Sequence, residues 1–161
     1  MDNPLSSNPI KQFKLWLEEA TQNEINDPTA MALATATRDG IPSVRMVLLK
    51  QIDENGFKFH TNSESQKGTE LFENPYASLC FYWKSLRKQV RVQGVIETVS
   101  DNEADTYFAD RPYKRQIGAW ASQQSRPLED RKTLEDKIKS GEIKESELLE
   151  EASEFLTKMK T

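Results

Sequence analysis

The sequence predicts a mainly β domain: a small antiparallel barrel with helices packed outside it. Two observations carry this. Five short stretches rich in apolar, β-branched or aromatic residues lie between residues 30 and 99, and tight turn signals separate most of them. Helical periodicity falls mainly before the first stretch and after the last. A doubly wound parallel sheet needs a helix between each pair of successive strands, and this order joins most of them by tight turns instead.

The elements follow in order. Asn8-Pro9 reads as a helix start, with Pro9 at the first helical position. Ile10, Phe13, Leu17 and Ala20 recur at helical spacing behind it. Ala30–Thr37 is small and apolar, a buried strand. Arg38-Asp39-Gly40 turns the chain, and Ser43–Gln51 returns as a second strand. Asp53-Glu54-Asn55-Gly56 is the next turn. Phe57–Thr61 alternates apolar and polar, as a half-buried strand does. Ser63–Phe72 is helical until Asn74-Pro75 stops it. Tyr76–Trp83 and Gln89–Val99 complete the strands, with Gly94 marking a bulge or bend. Ser100-Asp101-Asn102-Glu103 is a capping-box pattern opening a short helix through Phe108. Further helices are expected over 113–122 and from Pro127.

From about residue 129 Lys, Glu, Asp and Ser dominate. Leu148, Leu149, Ala152, Phe155, Leu156 and Met159 form a narrow apolar stripe there, read as an amphipathic helix that docks on the body or on a second subunit. The expected division is therefore a barrel domain over 1–131 and a charged helical tail over 132–161.

Composition narrows the function. The chain has 161 residues and a net charge of -4, which disfavours a general nucleic-acid binder. Its one cysteine, Cys80, forms no intrachain disulfide and reads as a buried structural thiol in a reducing compartment. Its one histidine, His60, excludes a multi-histidine metal site. No apolar run approaches the roughly 20 residues of a membrane span. The first residues lack the pattern of a signal peptide, so the expected location is the cytoplasm.

Against that acidic background the cations cluster. Arg45 and Lys50 bracket an apolar strand, five residues apart, so on a regular strand they face opposite sides. Two solvated strand ends are the plainer reading of that pair. Lys67 lies in the first turn of a helix preceded by Ser63 and Ser65, where free N–H groups and hydroxyls suit a phosphate. An ordinary capped helix explains the same residues. Gln89 opens a strand and offers a donor and an acceptor to a heterocycle, or to water. Tyr107, Arg111, Lys114 and Arg115 fall within nine residues. Arg forks suit a phosphate monoester, and a solvated basic helix end is the alternative.

Taken in order, Arg45-Met-Val-Leu-Leu-Lys50, Phe59-His-Thr-Asn62, Lys67, Arg87-Lys-Gln89-Val90, Tyr107-Phe-x-x-Arg111-Pro112, Gln116-Ile-Gly-Ala-Trp120 and Gln124-Ser125 resemble the pyridoxine (pyridoxamine) 5'-phosphate oxidase family. The resemblance runs from about Pro9 to Arg131. It implies an FMN-binding split β-barrel, antiparallel and Greek-key-like, assembled as a homodimer with each site at the interface. It implies flavin mononucleotide (FMN) lined by Arg45, Met46, Val47, Leu48 and Lys50, with Arg45 on the phosphate. His60 and Thr61 would meet the cofactor largely through backbone. Lys67 would bind its phosphate, and Gln89, Gln124 and Ser125 would hydrogen-bond it. Lys50, Tyr107 and Arg111 would bind the substrate, pyridoxine phosphate. No residue is assigned a catalytic proton transfer, and no metal is implied.

Two positions depart from the pattern but stay among the expected site residues. Gln66, on the cofactor side, stands where the family usually has an Arg beside Lys67, and Arg115, on the substrate side, stands where a Ser usually contacts the substrate phosphate. In addition, no stretch of 132–161 matches the family's C-terminal segment. The implied reaction is oxidation of pyridoxamine or pyridoxine 5'-phosphate to pyridoxal 5'-phosphate with O2, giving H2O2, within vitamin B6 metabolism. The alternatives are a truncated, catalytically impaired protein of the same fold that binds FMN or pyridoxal phosphate, and a structural dimer with no ligand.

Overall fold

The computed structural model of the chain describes residues 5–112 and 154–160. Helix α1 (Pro9–Asn23) starts where the sequence places it. Asn8 caps it by accepting from the Lys11 N–H at 3.0 Å, and Pro9 occupies the first turn. Its apolar stripe buries Phe13 and Ala20. Phe13 meets Phe57 and Phe81 edge-on, each with ring centroids 4.9 Å apart, so the helix plugs the core with an aromatic cluster.

Six strands form a closed antiparallel barrel. They are β1 (Ala30–Ala36), β2 (Pro42–Asp53), β3 (Gly56–Asn62), β4 (Tyr76–Trp83), β5 (Lys88–Thr98) and β6 (Glu154–Lys160). Their order around the barrel is β1-β2-β3-β6-β5-β4. Strands β1, β2 and β3 are joined by hairpins, with Gly40 (φ 82°) and Gly56 (φ 133°) in the two turns. Helix α2 (Gln66–Glu73) then carries the chain across to β4, which lies beside β1. That β4-β1-β2-β3 arrangement is a Greek key. Inside it, Met31, Leu33, Phe59, Leu79, Phe81 and Trp83 are buried on alternate positions. The Trp83 indole donates to the Pro28 carbonyl at 2.8 Å, which satisfies its buried N–H.

Four expectations change. Residues 154–160 form a strand where the apolar stripe suggested a helix. The partly filled gap between β3 and β5 explains this: β6 pairs with both, Phe59 opposite Thr157 and Ile96 opposite Met159, and closes two open edges. Gly94 sits in unbroken register opposite Ala77, and the irregularity falls between Leu49 and Gln51 of β2 instead. Strand β3 is buried on both faces from Gly56 to Phe59, because helix α3 (Asp101–Ala109) is fastened over its outer side. Lys58 makes that fastening, with Nζ 2.5 Å from Glu103 and 3.2 Å from Asp53. Cys80 is half-buried rather than buried. The helices expected over 113–122 and from Pro127, and the domain boundary near 131, lie outside the described residues.

Helix α2 approaches β3 so closely that position 68 has no room for a side chain. A Cβ on Gly68 would stand 2.2 Å from the Ser63 carbonyl oxygen and 2.7 Å from that of Asn62. Both obstacles are backbone, which cannot rotate away. Gly68→Ala is therefore expected to destabilise the fold by about 1–3 kcal/mol through overpacking, read as a lower urea midpoint at unchanged slope. An unchanged midpoint would show that the α2 seam can open without cost.

Candidate functional site

The structure gathers the cations into two groups. The first lies where α2 meets the end of β1 and the start of β2. Arg45 shares the parity of buried Val47 and Leu49, and its side chain is 21% exposed. Its guanidinium reaches Glu70 on α2, with Nη2 3.2 Å from Oε2. Glu70 is 6% exposed at its side chain and also accepts from Thr35, from Ser43 at 2.6 Å and from Gln66 at 2.9 Å. Burial alone would raise the Glu70 pKa. The donors Ser43, Thr35, Gln66 and Arg45 outweigh it and hold the carboxyl at about 2.

Lys67 belongs to the same group. It is buried, and its Nζ donates to the Ser65 hydroxyl at 2.9 Å. Burial lowers its pKa, Arg45 lowers it further, and Glu70 opposes both. Arg45 and Lys67 therefore feel one another's charge. Ser65 caps α2 by accepting from the Gly68 N–H, but it is fully buried and donates to the Asn62 carbonyl at 2.6 Å. Its hydroxyl serves the helix rather than an open cradle, which corrects that part of the expectation. Gln66 is exposed at the rim.

The second group lies on the outer side of β3. The His60 ring stacks on Tyr107 of α3, with centroids 3.2 Å apart and planes 17° from parallel. Burial pushes the His60 imidazole down to about 3, and the charges of Lys50 and Arg111 add to this. Lys50 of β2 and Arg111, two residues past α3, thus stand near enough for their charges to act on the His60–Tyr107 stack. Arg111 also stands 5.7 Å over the Phe108 ring. Neither His60 ring nitrogen finds a hydrogen-bond partner among the described residues, although both are buried. Such atoms are uncommon and suit a polar ligand.

Met46 and Leu48 point outward from β2, and Gln89 is exposed on β5 opposite exposed Tyr82. Val47 and Thr61 are buried, so their backbone is what they can offer a ligand. Arg115, Gln124 and Ser125 lie outside the described residues. A cavity of about 650 Å3 opens between α2 and the end of β5, lined by Thr61, Ser63, Gly68, Leu71, Phe72 and Ile96 among others. Of the expected site residues only Thr61 touches it, so the site rests on the convergence of side chains and not on this cavity. The residues that sequence reasoning missed are Glu70, Thr35 and Ser43. The one local hint was Glu70 standing four positions after Gln66 on a helix face. Among the described residues no group of His, Cys, Asp or Glu is placed to hold a metal, and no helix is long and apolar enough to cross a membrane.

A barrel of this topology has the fold shared by the FMN-binding split barrels. Comparison with known proteins narrows it. A family model described as pyridoxamine 5'-phosphate oxidase matches residues 17–145, and the chain belongs to that family. Curated relatives named pyridoxine/pyridoxamine 5'-phosphate oxidase include one from Allorhizobium ampelinum, 58% identical over 130 residues, or 81% of this chain and 63% of that protein. Another, from Rhizobium meliloti, is 59% identical over 133 residues, or 83% of this chain and 65% of that protein. The chain thus spans about 65% of the length of these relatives. Among solved structures, PhzG from Burkholderia lata 383, in complex with tetrahydrophenazine-1-carboxylic acid, superposes with a TM-score of 0.84 at 31% identity, covering 96% of this chain and 77% of that one. A pyridoxamine 5'-phosphate oxidase-related, FMN-binding protein from Nostoc punctiforme gives a TM-score of 0.66 at 17% identity, covering 81% and 73%, and supports the fold alone.

The lowered pKa values of His60 and Glu70 begin to act at different pH. His60 has its pKa lowered on folding, so the unfolded chain binds more protons and stability falls as pH drops from about 6.5. Glu70 is also lowered, and its contribution is lost only below about 4.5. Between those values the slope belongs to His60. Urea midpoints measured from pH 7 to pH 5 are expected to fall for the natural chain and to stay nearly level for His60→Phe. Equal slopes would mean that His60 is freely protonated in the fold.

Proposed function

We propose that this chain is an FMN-dependent oxidase that converts pyridoxamine or pyridoxine 5'-phosphate to pyridoxal 5'-phosphate, with O2 as acceptor and H2O2 as product. The convergence of Lys50, His60, Tyr107 and Arg111 carries this reading. Residues up to 61 positions apart in sequence act on one place, and two of them are cations suited to a phosphate monoester. The relatives' shared name supports the substrate class.

The residues present fit the cofactor. Arg45 and Lys67 supply positive charge for its phosphate, and outward Met46 and Leu48 supply an apolar floor for a flat ring. Gln89 presents donor and acceptor atoms on the same side of the barrel. When bound, FMN would supply the two-electron acceptor that takes a hydride from the substrate and is reoxidised by O2. The protein's part is to hold the substrate. Lys50 and Arg111 grip its phosphate, and Tyr107 positions it, which turns binding energy into orientation. His60, kept neutral between two cations, adds no charge that would repel them further.

Purified protein incubated with FMN and pyridoxamine 5'-phosphate is expected to give peroxide and aldehyde together. Lys50→Ala and Arg111→Ala each remove a charge-assisted contact worth about 1.5–3 kcal/mol, so kcat/KM should fall by roughly tenfold to over a hundredfold. Flavin absorbance without peroxide would favour the second reading, a flavin- or pyridoxal-phosphate-binding protein without turnover. The chain's span of about 65% of its relatives is what keeps that reading in view.

The assembly is proposed to be a homodimer. Val44, Met46 and Tyr82 are 68, 65 and 63% exposed on the outer face, and the small Ala30, Ala32 and Ala34 of β1 lie in register with Leu48, Met46 and Val44. A flat apolar face of this kind is what a second copy would cover. Sedimentation is expected to give a dimer for the natural chain and a monomer with weakened flavin binding for Met46→Glu. A natural chain that sediments as a monomer with full activity would rule the dimer out.

A further inference from the structure

The hydrogen bonds around Arg45 form a nearly closed account. A guanidinium has five N–H donors. Here Nη1 donates to the Thr35 hydroxyl and, at 3.3 Å, to the Leu33 carbonyl. Nη2 donates to Ser43 at 2.6 Å and to Glu70 at 3.2 Å. Thr35 and Ser43 then donate their own protons to the same Glu70 oxygen, Ser43 at 2.6 Å. Glu70 therefore holds Arg45 directly and through two hydroxyls, while Gln66 ties down its other oxygen at 2.9 Å. In charge, Arg45 and Lys67 contribute two positive units and Glu70 returns one, leaving one.

We infer that Glu70 is a positioning residue acting through Arg45: a built-in counter-anion that sets how strongly the site takes a phosphate monoester. The inference rests on the flavin-phosphate reading of this site. An incoming phosphate must compete with Glu70 for the guanidinium, so the site binds it more weakly than two unopposed cations would. The same competition narrows the margin between a phosphorylated ligand and its neutral counterpart, because only the charged one must displace the carboxylate. If the ion pair only fastened α2 to β1 and β2, changing it would alter stability and leave phosphate preference untouched.

The test titrates the natural chain, Glu70→Gln and Glu70→Asp with FMN, with riboflavin (the same ring without the phosphate) and with inorganic phosphate. Flavin fluorescence and thermal unfolding are the readouts. Glu70→Gln keeps the shape and removes the charge. It is expected to bind FMN about tenfold tighter, the scale of one unit charge removed at partly buried range, with riboflavin unchanged and a larger rise in Tm from phosphate. Glu70→Asp withdraws the carboxylate and keeps the charge, so it should move the same way by less, and it serves if the Gln variant does not fold. An unchanged or reduced preference for FMN over riboflavin overturns the inference and leaves the flavin reading standing. If no form binds either flavin, the flavin reading fails and the phosphate arm decides: a larger Tm rise in the variants supports Glu70's role, and an equal one overturns it.

Discussion

A β-strand has only two sides, and in β2 both are in use. Arg45, Val47 and Leu49 share the side that meets the core, while Val44, Met46 and Leu48 face outward. Lys50 keeps to the outward side, and the irregularity between Leu49 and Gln51 breaks the alternation at Gln51, which is exposed too. The rest of the molecule is arranged around that division. Helix α2 brings Glu70 and Lys67 to the Arg45 side. Helix α3 brings Tyr107 to the other, with Arg111 just past its end. The alanines of β1 keep the outer surface low beside Met46. Shifting β2 by one residue would place Arg45 among the apolar outer residues and Met46 beside a carboxylate.

The two groups have their charge states fixed by opposite means. His60 stays neutral because it is buried beside two cations, so charging it would add to their repulsion. Glu70 stays ionised although it too is buried, because four donors reach its oxygens. Neither group changes charge near neutral pH. Within the Arg45 site, Lys67 is the cation whose pKa burial and Arg45 both lower.

Much of this was legible in the sequence, for local reasons. Asn8-Pro9 carries a cap and a first-turn proline within two residues, and the hairpins carry Gly40 and Gly56 at the positive φ their turns need. The cations were visible because they are few and clustered within an acidic chain. What stayed hidden was non-local. Glu70 is one acid among several near α2, and nothing beside it reports a partner 25 positions earlier. Lys58 looked like the solvent side of a half-buried strand, since Glu103 lies 45 positions away. The stripe Phe155, Leu156 and Met159 fits a helical period as well as a short strand, and only the two edges waiting at β3 and β5 decide between them.

The place of β6 in the chain has a consequence for how the molecule is made. Its partners β3 and β5 end at Asn62 and Thr98, and β6 begins at Glu154. During synthesis the first five strands leave the ribosome well before the sixth, so the nascent barrel carries two unpaired edges while more than fifty further residues are added. Contacts that close only across such separations are slow to form. For that interval the growing protein is a curved sheet with a gap, and its protection from pairing with neighbouring chains must come from something other than its finished shape.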